Sequence, residues 1–162
     1  MTFKDISKEL NLKDMVQKPV RSNARIMISN KIKISMNNLD QKIFSDEKWL
    51  LFILNQIISN AVKYKKEDPQ ISFEARQSTN QIFLEIRDNG IGIAAKDLPR
   101  VTDKGYTGTT GRNYEKSTGM GLYLCKKLCD KLHLSFKIES KEEEYTIVTI
   151  GFPRSSMIFL NE

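Results

Sequence analysis

"QIFLEIRDNGIGI", residues 81–93, alternates apolar and polar side chains and then runs into an acid, an amide and two glycines. The alternation through Ile86 is that of a half-buried strand. A plain hairpin accounts for one glycine but not for Asp88, Asn89, Gly90 and Gly92 together. Seven of the eight glycines lie between Gly90 and Gly121, so the clustering has one local cause. Glycine lets backbone amides approach a ligand closely and form concavities that take anions. The stretch "STGMGLYLCKKL" (117–128) ends its glycines where a helical pattern begins. The N–H groups at such a helix start are a seat for phosphate.

Outward from this point, "ISFEARQ" (71–77) reads as the partner of 81–88 in a hairpin through "STN" (78–80). "KIKISMN" (31–37) alternates as a strand, and "LNLKDMV" (10–16) reads as a short opening strand. Apolar positions from Val16 to Ile28 suggest one helix, with Pro19 in its first turns or kinking it. Ser45 is a suitable N-cap for a helix running to about Lys65. There Trp49, Phe52, Ile53, Ile57, Ala61 and Tyr64 follow the spacing of one buried stripe. A further helix spans Gly121 to Leu132. "LSFKIES" (134–140) and "YTIVTIGF" (145–152) pair through the charged "KEEE".

Three helices with five or six mostly antiparallel strands give an α+β chain, a two-layer α/β sandwich. Its 162 residues fit one domain, 1–162. Residues 96–118, polar and rich in Gly, Thr and Lys, fit neither pattern. So long a segment within a compact domain calls for a function of its own, such as a lid.

Composition excludes several classes. No run of eighteen apolar residues is present and the start lacks a signal-peptide core, so a cytoplasmic setting is expected. The formal charge of +6 is spread along the chain without an arginine-rich tract, which describes a basic solvated surface, not a nucleic-acid binder. Cys125, Cys129 and His133 are four apart, which spreads the outer two about 12 Å along a helix, too far for one zinc ion. Core thiols and a structural histidine are the better reading. No Walker A motif occurs, and Gly119-x-Gly121 follows a loop, not a strand, so the dinucleotide fingerprint also fails.

On the long helix, Gln56, Asn60 and Lys63 share a face at i,i+4 and i,i+3 spacing. A carboxamide oxygen is a hard neutral ligand suited to Mg²⁺, and a lysine holds phosphate as a point charge. A merely solvated helix edge would look the same.

"NQIISNAVKY" (55–64), "DNGIGI" (88–93) and "STGMGLYL" (117–124) resemble, in order and spacing, the asparagine box and the two glycine boxes of the GHKL (Bergerat) ATP-binding fold. Within that superfamily the chain resembles the catalytic ATP-binding domain of a bacterial sensor histidine kinase. "LPRVTDKGYTGTTGRN" (98–113) is similar to the lid of the intramembrane-sensing kinases that work with bacitracin- or nisin-type peptide exporters in Gram-positive bacteria.

The resemblance implies a mixed sheet with three helices on one face and a mobile ATP lid over about 96–118. It makes Asp88 the acceptor for the adenine amino group, with Gly90, Gly92 and Ile93 beside the base. Asn60 becomes the Mg²⁺ ligand, Lys63 a phosphate contact and Tyr64 a packing residue. Thr118, Gly119, Met120, Gly121 and Leu122 form the triphosphate side, and Lys104, Tyr106 and Arg112 fall in the lid. Three departures stand out. Gln56 replaces a second Asn, Ser117 replaces a glycine, and Tyr145 occupies the glycine position of the last box, leaving Thr146 to match it.

The ATPase branch of the fold (gyrase, heat-shock chaperones, mismatch-repair proteins) carries a Glu where this chain has Gln56. A carboxamide is a poor general base, which favours phosphoryl transfer to a protein nucleophile over hydrolysis. Gln56, Asn60 and Lys63 are thus the expected catalytic residues. The implied partners are a histidine-bearing dimerisation hairpin, a response regulator and a peptide-exporting transporter, in the cytoplasmic part of a membrane kinase. An anti-sigma-type serine kinase or a nucleotide-binding-only module is the alternative.

Overall fold

Asn11 closes the first strand, β1 (Lys8–Asn11), and its side-chain oxygen accepts the N–H of Asp14 at 3.1 Å. That cap starts a helix, α1 (Leu12–Ser22), where a strand was expected to continue to Val16. The computed structural model describes residues 7–103 and 121–154. Pro19 sits inside α1. Its carbonyl accepts both the backbone N–H of Asn23 at 3.1 Å and the Asn23 side-chain amide at 2.7 Å. An asparagine amide that satisfies the last carbonyls competes with helix continuation. The single helix expected over 16–28 is therefore two, α1 and a six-residue α2 (Ala24–Ser29).

Lys42–Ser45 forms a short strand, β3, that the sequence reading passed over; it pairs antiparallel with β1 in a two-stranded sheet. Ser45 is its buried last residue and not a cap. Asp46 caps the long helix α3 (Glu47–Lys63) instead, accepting the Trp49 N–H at 2.8 Å. The buried face of α3 also differs from the expected stripe. Leu50, Ile53, Leu54, Ile57, Ile58, Ala61 and Val62 are buried, while Trp49, Phe52 and Tyr64 are half-buried. α3 packs against α1 on one flank and against α4 (Gly121–Lys131) on the other, which widens and rotates its apolar face.

The main sheet has the order β2-β4-β5-β7-β6. Its strands are β2 (Lys33–Asn37), β4 (Gln70–Gln77), β5 (Gln81–Asp88), β6 (Ser135–Lys141) and β7 (Tyr145–Pro153). Only β2 and β4 run parallel; the other pairs are antiparallel, giving the mixed sheet that was expected. Register stacks side chains in rows. Ala75, Leu84, Ile150 and Phe136 form one row on the helix side, and Phe73, Ile86, Val148 and Ile138 the next. The third row is Ile71, Asp88, Thr146 and Ser140. Two apolar rows thus end in one that carries Asp88, Thr146 and Ser140, and this edge of the core holds the candidate site.

The turn that closes α4 passes through His133, whose φ of 61° is left-handed, and the Leu134 N–H returns to the Cys129 carbonyl at 2.8 Å. The histidine stands where a glycine commonly stops a helix, a structural position as expected. Cys125 and Cys129 are buried and free. No helix among the described residues is long and apolar enough to cross a membrane. Of the expected lid, a 3-10 turn at Leu98–Arg100 is described; residues 104–118 lie outside the described part.

Candidate functional site

Asp88 is the last residue of β5 and continues the helix-facing side of that strand beyond Ile86. Its carboxylate accepts the Gly90 N–H at 2.9 Å and has no ion pair among the described residues. Burial raises its pKa to about 6, against the opposing pull of the Gly90 N–H. A carboxylate placed there without a cation is costly unless a ligand supplies donors.

The rest of the motif resolves residue by residue. Asn89 is a strut: its oxygen accepts the Gln70 N–H at 2.8 Å and its amide donates to the Asp68 carbonyl at 3.1 Å. It fixes the start of β4 against the end of β5. A Cβ on Gly90 would lie 2.5 Å from the Tyr64 carbonyl oxygen, and the next residue, Ile91, donates its N–H to that carbonyl at 3.0 Å. Gly92 has a φ of +69°, and a Cβ there would lie 2.2 Å from the Lys141 carbonyl oxygen. Both glycines are therefore required by the protein's own backbone, which straps the 88–93 loop to the end of α3 and to the β6–β7 turn. The second strap is completed by Glu143 N–H to Ile91 carbonyl at 2.6 Å and Ile93 N–H to Ser140 Oγ at 2.8 Å.

The start of α4 meets the polar seam of α3. A Cβ on Gly121 would lie 3.0 Å from Gln56 Oε1 and 3.9 Å from both terminal atoms of Asn60. Gln56 and Asn60 are half-buried, so the seam is not a solvated helix edge. Lys63 ends α3, its Nζ lying 5.6 Å from the ring centre of Tyr64, the C-cap residue. Contacts thus join Tyr64, Asp88, Gly90, Gly92, Ile93 and Thr146 at one end of the sheet, and Gln56 and Asn60 to Gly121 along α3, with Lys63 between the two groups and Leu122 next to Gly121. Lys104, Tyr106, Arg112, Thr118, Gly119 and Met120 lie outside the described residues.

Ser140 was missed by the sequence reading. Its hydroxyl lies 2.9 Å from Thr146 Oγ1, donates to the Tyr145 carbonyl at 2.7 Å and accepts the Ile93 N–H. The signal was present: alternation along 134–140 puts Ser140 on the face of Phe136 and Ile138, where a hydroxyl needs a reason. The cysteines carry no such chemistry. Burial pushes the Cys125 thiol up to about 12 and Cys129 higher still, and Cys125 Sγ rests 3.8 Å from the Ile53 carbonyl. No group of three His, Cys, Asp or Glu side chains among the described residues is arranged to hold a metal ion.

Residues 45–156 match the profile of the histidine kinase-, DNA gyrase B- and HSP90-like ATPase family. The chain belongs to that family. Among curated relatives it is 37% identical over 150 residues to the sensor protein BceS of Bacillus subtilis, covering 92% of this chain and 45% of the relative. It is 35% identical to the sensor histidine kinase YxdK of the same species, covering 88% and 45%. With the sensor protein kinase GraS of Staphylococcus aureus it shares 37% identity over 74% of this chain and 34% of the relative. The chain thus spans about half the length, or less, of these relatives. Among solved structures, the catalytic domain of histidine kinase ThkA superposes with a TM-score of 0.78 at 17% identity, covering 91% of this chain and 97% of that one. The mycobacterial sensor histidine kinase MprB gives 0.78 at 16%, covering 90% and 97%. The fold of this family member is that of histidine kinase catalytic domains.

Proposed function

We propose that this chain, as a single catalytic domain, binds Mg-ATP between α3, the 88–93 loop and the start of α4. It donates the γ-phosphoryl group to a histidine on a separate dimerisation hairpin of a sensor kinase. The observation that carries the reading is Asp88, a carboxylate with no ion pair among the described residues, ending two apolar rows of the sheet. That position suits a flat, largely apolar base presenting an amino group. A hydrogen bond to a charged acceptor is worth about 1.5–3 kcal/mol.

The residues present fit the cofactor. Asn60 would hold Mg²⁺ through its neutral amide oxygen, and a Mg²⁺ held mainly with a nucleotide requires no carboxylate cluster from the protein. Lys63 and the N–H groups opening α4 carry phosphate charge. Mg²⁺ would supply charge neutralisation at the phosphates, while the protein's part is positioning. Gln56, against Gly121, orients and excludes but takes no proton, which favours a kinase over a hydrolase. The names of the relatives support histidine over serine as acceptor. The wider setting follows the same reading: the cytoplasmic part of a membrane kinase, a downstream response regulator, and a peptide-exporting transporter in a response to antimicrobial peptides.

The test is phosphotransfer. Incubated with γ-labelled ATP and Mg²⁺, the chain should label a separately supplied histidine hairpin with an acid-labile phosphate and should not label itself. An acid-stable phosphoserine on a supplied substrate would replace histidine by serine in the proposal.

A further inference from the structure

Ser140 occupies a special place in the polar row because its bonds leave only one arrangement of protons. A hydroxyl has one proton and two lone pairs. The Tyr145 carbonyl can only accept, so the Ser140 proton goes there, at 2.7 Å. The Ile93 N–H can only donate, so it takes one Ser140 lone pair, at 2.8 Å. The remaining Ser140 lone pair faces Thr146 Oγ1 at 2.9 Å, and the proton in that bond is therefore Thr146's own. Its proton spent, Thr146 has only lone pairs left for the site. Thr146 stands directly across from Asp88 in the β5–β7 register, and opposed side chains lie about 4.5–5.5 Å apart at Cβ.

We infer that Ser140 is a specificity-determining positioning residue: it holds Thr146 as an acceptor, so that Asp88 and Thr146 together demand a purine with an amino group and reject one with a carbonyl in its place. The inference rests on the nucleotide reading above and deepens it. An amino group has two N–H donors for two adjacent acceptors, directly or through water. A 6-oxo purine faces two acceptors with a third. Without Ser140, the Thr146 hydroxyl is free to turn its proton toward that carbonyl.

The experiment compares ATP with ITP, which differs at that end of the base, in calorimetric titrations of the wild type, Ser140→Ala, Ser140→Cys and Ser140→Thr. Thermal unfolding of each protein accompanies the titrations. The wild type should prefer ATP by at least about 10-fold, the scale of one hydrogen bond to a charged acceptor. Ser140→Ala should compress the ATP:ITP ratio by about 5-fold or more. Ser140→Thr, which keeps the hydroxyl, should restore it. Ser140→Cys keeps the volume with a weak hydrogen-bonding group, and should behave as Ala does even where the Ala variant is too unstable to titrate. A merely structural strut predicts otherwise: ATP and ITP weakened by one common factor, with the ratio unchanged, would overturn the inference while leaving nucleotide binding intact. Failure of the wild type to bind ATP at all would overturn the nucleotide reading and the inference with it.

Discussion

Replacing Asp88 by Asn should make the ligand-free protein more stable and the nucleotide-bound protein rarer. Burial raises the carboxyl from 3.8 to about 6, so at neutral pH the folded protein holds a charge it disfavours. A shift of roughly 2 units corresponds to at most about 3 kcal/mol, and partial solvent screening brings the expected gain on neutralisation to about 1–3 kcal/mol. The sign follows from linkage. Because the folded pKa is the higher one, the folded state binds the proton more tightly, and stability falls as pH rises from about 4 to about 6. Asp88→Asn should therefore match the wild type near pH 4 and exceed it above pH 6, by roughly 2–4 °C in unfolding midpoint per kcal/mol. In the same variant, ATP affinity should fall about 10- to 150-fold, since the charged acceptor is gone. Thermal unfolding across pH 4–8, paired with calorimetry at pH 7.5, reads both effects. A variant that is less stable than the wild type at pH 7.5, or that binds ATP equally well, would refute the assignment of Asp88 as a carboxylate held for a ligand.

Gly92→Ala should destabilise the fold by more than about 1 kcal/mol in urea unfolding, because φ is positive and the new methyl meets the Lys141 carbonyl. Gly121→Ala should fold normally by circular dichroism, since its nearest neighbour is the movable end of Gln56, yet should weaken Mg-ATP binding measured by calorimetry. Gln56→Glu should raise a negligible rate of phosphate release slightly, far below the roughly 10²–10⁴-fold that a well-placed base supplies. Steady release by the wild type, abolished in Gln56→Ala, would speak for hydrolysis. Removal of Mg²⁺ by chelation should weaken ADP binding in the wild type and have a smaller effect in Asn60→Ala, read by the same titration.

The placement of several candidate residues was legible because they lie on regular elements. Gln56, Asn60 and Lys63 share a helix face by spacing alone, and the hairpin 71–88 carries Asp88 on a face that alternation already defines. What the sequence hid was closure in three dimensions. Gly90 and Gly92 look like ligand-facing glycines, yet the nearest obstacles are the carbonyls of Tyr64 and Lys141, which belong to distant segments. Asn89 looks like site chemistry and is a strut to β4. Ser45 has the composition of a helix cap, but the β1–β3 pairing draws it into a strand and leaves the capping to Asp46. β3 itself is four residues long, too short for alternation to register. At the break between α1 and α2 the Asn23 amide also reaches Asn55 on α3 at 2.9 Å, a contact no local pattern encodes.

In the proposed function an adenine nucleotide sits at the end of the sheet marked by Asp88. Amide chemical-shift mapping during titration with Mg-ADP tests it directly. The shifts should concentrate on residues 60–64, 88–93, 121–122 and 146, and Asp88→Asn should suppress them at the same nucleotide concentration. Shifts confined to another face of the protein, or no shifts at millimolar Mg-ADP, would contradict it.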